Sequence, residues 1–321
     1  MRLEGRRAVV TGSSQGMGRD IALLLARQGA SVVVNARGSG PTGTKALQDV
    51  ADEINDGGGR AIACPGAVND IRDAERIIQA CVEGFGGIDI LVNNAGVLGL
   101  GAVDNCSPEH WREVLDINLN GTYYCTHFAV KHMRRQRWGR VVHATSEAAL
   151  GVLGGACYAA SKGAVISLTC AMARDLGMYG ITVNAYNPEA RSRLSDGHSD
   201  EYFVNMLESM VRRGFMERAR IDYLKDMGPS EAIAPWVVYL CTEDASYLNG
   251  RVFAVEARRI AMLALQEEER VLYRDHARHG VWSLDELAGI APVAFPVHNR
   301  WARRSEAEIA EALRGIDPIL L

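Results

Sequence analysis

The 321 residues are 48% apolar and 23% charged, enough for one large α/β domain or two small ones. A formal net charge of −4 supplies no excess of positive charge to neutralise phosphates, which argues against a nucleic-acid partner. Seven scattered cysteines lack a C-x-x-C pair or a ligand-like spacing to histidine, so neither a disulfide framework nor a metal site is expected and the thiols read as reduced.

Met1 to Arg7 lead into a short apolar strand, with no long apolar leader and no stretch expected to span a bilayer, so a soluble, cytoplasmic protein with no membrane partner is expected. The first strand, Arg7 to Val10, runs straight into Thr11-Gly12-Ser13-Ser14-Gln15-Gly16-Met17-Gly18 and then an apolar helix. Glycines there let backbone approach a pyrophosphate, and the helix N-terminus offers free N–H groups and positive dipole. The spacing is G-x-x-x-G-x-G rather than the commoner dinucleotide fingerprint, and a plain tight turn is the competing reading.

Further strands are expected at residues 31–35, 61–64, 88–93, 140–144, 181–185 and 251–255, seven in all. Most are apolar throughout, as strands covered by helices on both faces must be, and they alternate with helical stretches in βαβ order. Gly57-Gly58-Gly59 and Gly86-Gly87 stand where helices turn back into strands. Ser107-Pro108-Glu109 opens a helix with an N-cap serine and a first-position proline, and that helix is expected to continue to about Arg137.

Val141-Val142-His143-Ala144-Thr145-Ser146 is a strand ending in hydroxyl residues where open parallel sheets bind ligands. Tyr158 and Lys162 follow, four apart and so on one helix face, where the ammonium would favour the phenolate of a group with an unperturbed pKa of about 10. Cys157, just before the tyrosine, reads as a packing residue, with accessibility to alkylation as the alternative. Met206, Met210, Met216 and Met227 suit either a lid over a greasy substrate or a core stripe of a surface helix.

Glycine loop, Asn93-Asn94-Ala95-Gly96, Asn118, Ser146 and Tyr158-x-x-x-Lys162, in that order, resemble the short-chain dehydrogenase/reductase family over residues 5–255. The resemblance implies a Rossmann-type doubly wound α/β fold: a seven-stranded parallel sheet with helices on both faces, domain 1–255; residues 256–321 read as a C-terminal extension able to pack on a neighbouring subunit. It also implies an NAD(P)-dependent interconversion of a ketone and a secondary alcohol, with Tyr158 exchanging the hydroxyl proton. Ser146 would orient the carbonyl oxygen, Lys162 would bind the nicotinamide ribose, and Asn118 would serve a proton relay. Thr145 is the rival for the serine role, because the interval from Ser146 to Tyr158 is one residue short of the family's. The implied cofactor contacts are Gly12, Ser14, Gln15, Gly16, Met17, Gly18, Ala36, Arg37, Ala67, Val68, Asn94, Ala95, Gly96, Tyr158, Lys162, Pro188 and Glu189.

Ala36 stands where NAD-preferring relatives carry Asp, and Arg37 follows it, an arrangement similar to NADP-preferring members; NADP(H) is the favoured cofactor and NAD(H) the alternative. Two departures bear on cofactor binding. The acid expected after the third strand is missing from Pro65-Gly66-Ala67-Val68, and Glu189 replaces a glycine, where it would repel phosphate or point to solvent. More loosely, Pro188 to Leu194 and the tail resemble the (3R)-hydroxyacyl-CoA dehydrogenase branch, which implies a 3-oxoacyl or 3-hydroxyacyl thioester substrate. In that case Arg191, Arg193, Arg212 and Arg213 are candidates to meet a CoA phosphate. A steroid or other alicyclic ketone reductase and a catalytically silent nucleotide binder are the alternatives. Apolar surface on the helices around 108–136 and 155–178 implies a homodimer or homotetramer. Tail sequences 267–270 and 282–287 suggest short helices, and 291–296 an extended segment.

Overall fold

The computed structural model describes residues 1–38, 40–99, 101, 103–151, 155–190, 228–264 and 281–294, with 208, 210–212, 218 and 278. The expected lid methionines other than Met210, the arginines 191, 193 and 213, the helix at 267–270 and residues 295–296 lie outside it. Met210 is buried and Arg212 exposed.

Eight strands form one sheet in the order β3-β2-β1-β4-β5-β6-β7-β8. They are β1 (Arg7–Val10), β2 (Ser31–Ala36), β3 (Arg60–Pro65), β4 (Ile90–Asn93), β5 (Gly139–Ala144), β6 (Ile181–Glu189), β7 (Val252–Glu256) and β8 (Ile260–Met262). The first seven are parallel, as expected; β8 is an additional three-residue strand antiparallel to β7. So the start of the C-terminal extension enters the sheet. The chain winds outward from β1 to β3 and returns to place β4 beside β1, which leaves a crevice at the C-terminal ends of those two strands.

Helices α1 (Gly16–Arg27), α2 (Gly40–Asp56) and a later α7 (Ala234–Leu240) cover one face, and α3 (Ile71–Phe85), α5 (Gly121–Gln136) and α6 (Ala156–Leu176) the other. Alternation along the strands divides the core accordingly. Val10, Val32, Val34, Val92 and Val142 pack with Ile21, Leu25 and Leu47, whereas Val9, Val33, Leu91 and Val141 pack with Ile77, Cys125 and Met133. Each such fully buried aliphatic side chain contributes on the order of 2 kcal/mol. Gly86, at φ +83°, ends α3 in the left-handed conformation, its N–H donating to Val82 O.

The single helix expected from Ser107 to Arg137 is instead three pieces. The Ser107 hydroxyl caps α4 (Pro108–Leu115) by accepting from His110 N, a wide π turn follows over Asp116–Asn120, and α5 then runs to Gln136. Such turns insert an extra residue and concentrate at functional sites; this one carries Asn118. Arg137, at φ +59°, ends α5 in the left-handed conformation.

Two further expectations are corrected. The stretch Ala156–Tyr179 is, by length and composition, apolar enough to cross a bilayer. In this fold it packs across β6 and carries buried Ser161, Lys162 and Thr169. Residues 291–294 are not extended, because a helix α8 (Leu284–Ala294) includes them. A capping box starts it: Ser283 Oγ accepts from Glu286 N, and Glu286 accepts from Ser283 N. That start signal outweighs the backbone donor lost at Pro292 near the helix end.

At the opposite edge of the sheet from the crevice, buried Asp89 accepts from Arg7 N and Nε at 3.0 and 2.6 Å and from Arg7 Nη2 at 2.9 Å. Removing one partner of a buried pair strands the other. Asp89→Ala is therefore expected to cost about 3 kcal/mol in urea unfolding, with cofactor affinity of the folded fraction unchanged. A loss below about 0.5 kcal/mol would show that this pair is a bystander.

Candidate active site

The glycine loop is shaped by contacts that a side chain would destroy. A Cβ on Gly18 would lie 2.2 Å from Gly12 O, and one on Gly12 would lie 2.8 Å from Ala95 Cα, where φ is already +64°. Gly16, at φ +55°, faces open space, and the α1 N-terminus that follows has no side-chain cap from Gln15. Backbone and helix N-terminus are thus open toward the crevice beside Ser14 and Met17, which fits a pyrophosphate. Buried Ser13 locks the loop to β2 by donating to Val10 O and accepting from Asn35 N.

Asn94 ties this loop to β4 and β6. Its Nδ2 donates to Thr11 O and Gly12 O at 3.1 and 3.0 Å, and its Oδ1 accepts from the Tyr186 hydroxyl at 2.9 Å. Thr11 Oγ1 accepts from both Asn94 N and Ala95 N. Thr11 and Tyr186 were not among the expected site residues. Thr11 lies inside the glycine motif and could have been noticed there, whereas Tyr186 looks like any aromatic residue in a buried strand.

Ala36 closes β2 half-buried, and Arg37 beyond it is exposed. Ala67 N donates to Asp73 Oδ2 at 2.8 Å, so the loop after β3 is held by an acid from α3 rather than carrying one of its own. Val68 packs against Gly121. Pro188 and Glu189 end β6 beside Val255 and Glu256 of β7. Glu189 is buried, so its solvent-facing alternative fails.

Ser146, Tyr158 and Lys162 come together at the C-terminal end of β5. The Ser146 hydroxyl accepts from Ala148 N at 3.2 Å, capping a short 3-10 turn (Glu147–Leu150). Thr145 turns the other way, its buried hydroxyl donating to Lys162 O. Lys162 Nζ donates to Ala144 O at 3.0 Å and sits 5.8 Å from the Tyr158 ring centroid. Asn118 is fully buried: its Oδ1 accepts from Val97 N, and its Nδ2 donates to Val97 O and to Ser161 Oγ at 3.1 Å. It therefore joins the Gly96 segment to α6, and Gly96 leaves the space a Cβ would fill, 3.3 Å from Lys162 Nζ.

Burial decides the electrostatics. It pulls the Lys162 ammonium down to about 8 and pushes the Tyr158 hydroxyl above its ordinary value, the Ser146 hydrogen bond opposing the latter. A phenolate favoured outright by Lys162 is thus not what this arrangement holds, because desolvation of the ring outweighs an ammonium that is itself desolvated. Behind them, His143 bridges Thr126 and Thr169 and is held neutral, its pKa pulled down to about 3 by burial and by Lys162. All seven cysteines are free, and Cys157 is buried, consistent with packing.

A family model described as short chain dehydrogenase matches residues 6–192. The chain belongs to the short-chain dehydrogenase family. As a member it is an oxidoreductase of a family that binds NAD(P) and acts on small molecules. A Staphylococcus aureus 3-oxoacyl-[acyl-carrier-protein] reductase is 36% identical over 77% of this chain and 95% of its own length. The hydroxyacyl-CoA dehydrogenase ChsB1 of Mycobacterium tuberculosis is 32% identical over 84% and 82%. A Drosophila melanogaster peroxisomal multifunctional enzyme type 2 is 34% identical over 76% of this chain, which spans only 38% of that protein. Among solved structures, a short chain dehydrogenase from Mycobacterium avium superposes with a TM-score of 0.75 at 31% identity, covering 92% of this chain and 96% of that one. A Burkholderia cenocepacia member in complex with NADP gives 0.67 at 30% identity, covering 80% and 98%.

In this family member the glycine loop has no room for the smallest side chain at Gly18. Gly18→Ala is expected to weaken binding of the reduced nicotinamide nucleotide, NADPH or NADH, followed by nucleotide fluorescence, by at least about tenfold, since the methyl group must displace Gly12 backbone or Asn94 Nδ2. Unchanged affinity would mean that this loop does not contact the nucleotide.

Proposed function

We propose that the chain interconverts a 3-oxoacyl and a 3-hydroxyacyl thioester with NADP(H), using Tyr158, Ser146, Lys162 and Asn118. The observation that carries this reading is buried Lys162, whose Nζ lies on Ala144 O at the C-terminal end of β5 and 5.8 Å from the Tyr158 ring, beside Ser146 two residues past that strand end. The names of the Staphylococcus and Mycobacterium relatives support the thioester class. Exposed Arg37 after Ala36, with no acid at that strand end, supports NADP(H) over NAD(H).

Gly12 to Gly18, Ala36, Arg37, Ala67, Val68, Asn94 to Gly96, Pro188 and Glu189 would hold the nucleotide, which would supply hydride to the carbonyl carbon in reduction and take it from the carbinol carbon in oxidation. Tyr158 hands its phenolic proton to the carbonyl oxygen in reduction and takes it back in oxidation. A high phenol pKa keeps that proton on Tyr158 until charge develops on the substrate oxygen. Ser146, already accepting from Ala148 N, has its hydroxyl proton to donate to the same oxygen and hold it in place. Lys162 supplies the positive charge that stabilises Tyr158 once it has given up its proton. Asn118 holds α6 and the Val97 strand end in register, so the two hydroxyls keep their spacing.

NADPH or NADH oxidation with acetoacetyl-CoA, a longer 3-oxoacyl-CoA and a steroid ketone tests the reading. Turnover with NADPH and the thioesters is expected. Turnover confined to the steroid would replace the substrate class, and cofactor binding without turnover would favour a silent nucleotide binder. Tyr158→Phe should lower kcat by roughly a hundred- to ten-thousand-fold while sparing NADPH binding.

With Lys162 at about 8 and Tyr158 above its ordinary range, rising pH removes the ammonium first. The value of kcat/KM for NADPH, which reports groups of the free enzyme, should therefore be flat below pH 8 and fall above it. A profile flat to pH 10 would separate Lys162 from the reaction.

A further inference from the structure

We infer that Asn187 and Glu256 form a subsite for the two amide N–H groups of a phosphopantetheine arm, the carrier that CoA and acyl carrier protein share. The inference deepens the thioester reading of the active site and rests on it. Two buried oxygens lack a donor. Asn187 is 2% exposed and Glu256 6%, yet Asn187 Oδ1 and Glu256 Oε2 have no hydrogen-bond partner. An acceptor left buried and unpaired costs about 1–3 kcal/mol, a cost recovered when a donor arrives from outside the chain.

Sheet register sets both residues on the substrate side. Side chains alternate along a strand, and register partners on neighbouring strands share a face. Val183 packs on the face that α6 covers, whereas Tyr186 and its register partner Phe253 pack on the face that α1 covers. Asn187 opposite Ala254, and buried Glu189 opposite Glu256, therefore lie on the α6 face, beneath the helix that bears Tyr158 and Lys162. The glycine loop feeds α1 on the other face, so the missing donors are assigned to substrate and not to nucleotide. Thr145 N donates to Tyr186 O at 2.8 Å, which sets Thr145, the neighbour of Ser146, level with Asn187 on the adjacent strand. Glu256 is one strand further out and two residues nearer the C-terminal edge. Strand spacing and rise put its Cα about 8 Å from that of Asn187.

Charge then orders the path outward. Glu256 Oε1 accepts from Arg259 Nη1 at 2.8 Å, and Arg258 and Arg259 are exposed. From Ser146 toward solvent the chain thus offers an acceptor, a second acceptor and cations. A phosphopantetheine thioester presents, in the same order from its reactive ketone, an amide N–H, a second amide N–H and a phosphate, the group that arginine pairs with best.

The experiment measures kcat/KM of the full-length protein for the acetoacetyl thioesters of pentanethiol, N-acetylcysteamine and pantetheine, which carry no, one and two amide N–H groups. Each added amide is expected to raise kcat/KM by about three- to tenfold, the worth of one hydrogen bond. Asn187→Leu, similar in size and without the unpaired oxygen, should bring the ratio of the N-acetylcysteamine to the pentanethiol thioester close to one. Glu256→Met should do the same to the ratio of the pantetheine to the N-acetylcysteamine thioester. A residue needed only for folding would lower all three together and leave both ratios in place. Acetoacetyl-CoA and the acetoacetyl ester of acyl carrier protein are run beside them, and the larger kcat/KM names the source of the arm. Equal kcat/KM for the three small thioesters, or ratios unchanged in the variants, would overturn the subsite while the thioester reading stands. Turnover of none of the thioesters, with a steroid ketone accepted, would overturn both.

Discussion

One carboxamide holds the C-terminal edge of this sheet together. Asn94 spends both ends of its side chain on protein: the amide closes the turn at Thr11 and Gly12, and the oxygen is fixed by Tyr186 two strands beyond β4. Without it the Gly12 and Thr11 carbonyls would face a crevice with no donor, and the turn between β1 and α1 would lose its anchor to β4. Gly18 is confined by the same group, since its absent side chain leaves the place that Asn94 Nδ2 occupies. Loop shape and the position of β6 are thus one problem with one polar solution, and a half-buried amide whose two ends are both paired is the stable form of it.

A second tie, from Asn118, runs along the other side of the crevice. The π turn after α4 swings this residue inward, where it pairs with both backbone groups of Val97 and with Ser161 of α6. The helix bearing Tyr158 and Lys162 is thereby referenced to the strand end after β4, the same strand end that Asn94 references to the glycine loop. The glycine loop and the helix bearing Tyr158 and Lys162 consequently share a frame, which is how groups on distant stretches of chain keep ångström-level spacing. Burial of Lys162 follows from that frame and lowers its proton affinity, so the rigidity of the site and its pH behaviour have a common origin.

Much of this was legible in the sequence. Seven parallel strands stand out because a strand covered on both faces must be apolar in unbroken runs, and the glycine loop and Tyr158-x-x-x-Lys162 are readable because each follows an apolar strand in the order that the family resemblance supplies. Less was legible where the outcome depends on contacts distant in the chain. Nothing local distinguishes Asp116–Asn120 from the regular helix on either side; the π turn exists because Asn118 finds Val97 and Ser161. β8 is three residues with both Ile260 and Met262 more than half exposed, so it shows no buried face to betray it. Pro292 argued for extended chain, whereas the Ser283–Glu286 capping box upstream determined a helix. Ser146 and Thr145 are adjacent and chemically alike, and only the packing of α6 turns one toward Tyr158 and the other toward the Lys162 carbonyl.

The most direct measurement of the central claim follows an atom rather than a rate. NADPH carrying deuterium at both C4 positions is incubated with acetoacetyl-CoA and the protein, and the recovered 3-hydroxyacyl product is analysed by mass spectrometry and proton NMR. One deuterium at C3, with the hydroxyl proton drawn from solvent, is the result this account predicts, because hydride comes from the nucleotide and the proton from Tyr158. Recovery of unreacted acetoacetyl-CoA, or of product without label at C3, would contradict it.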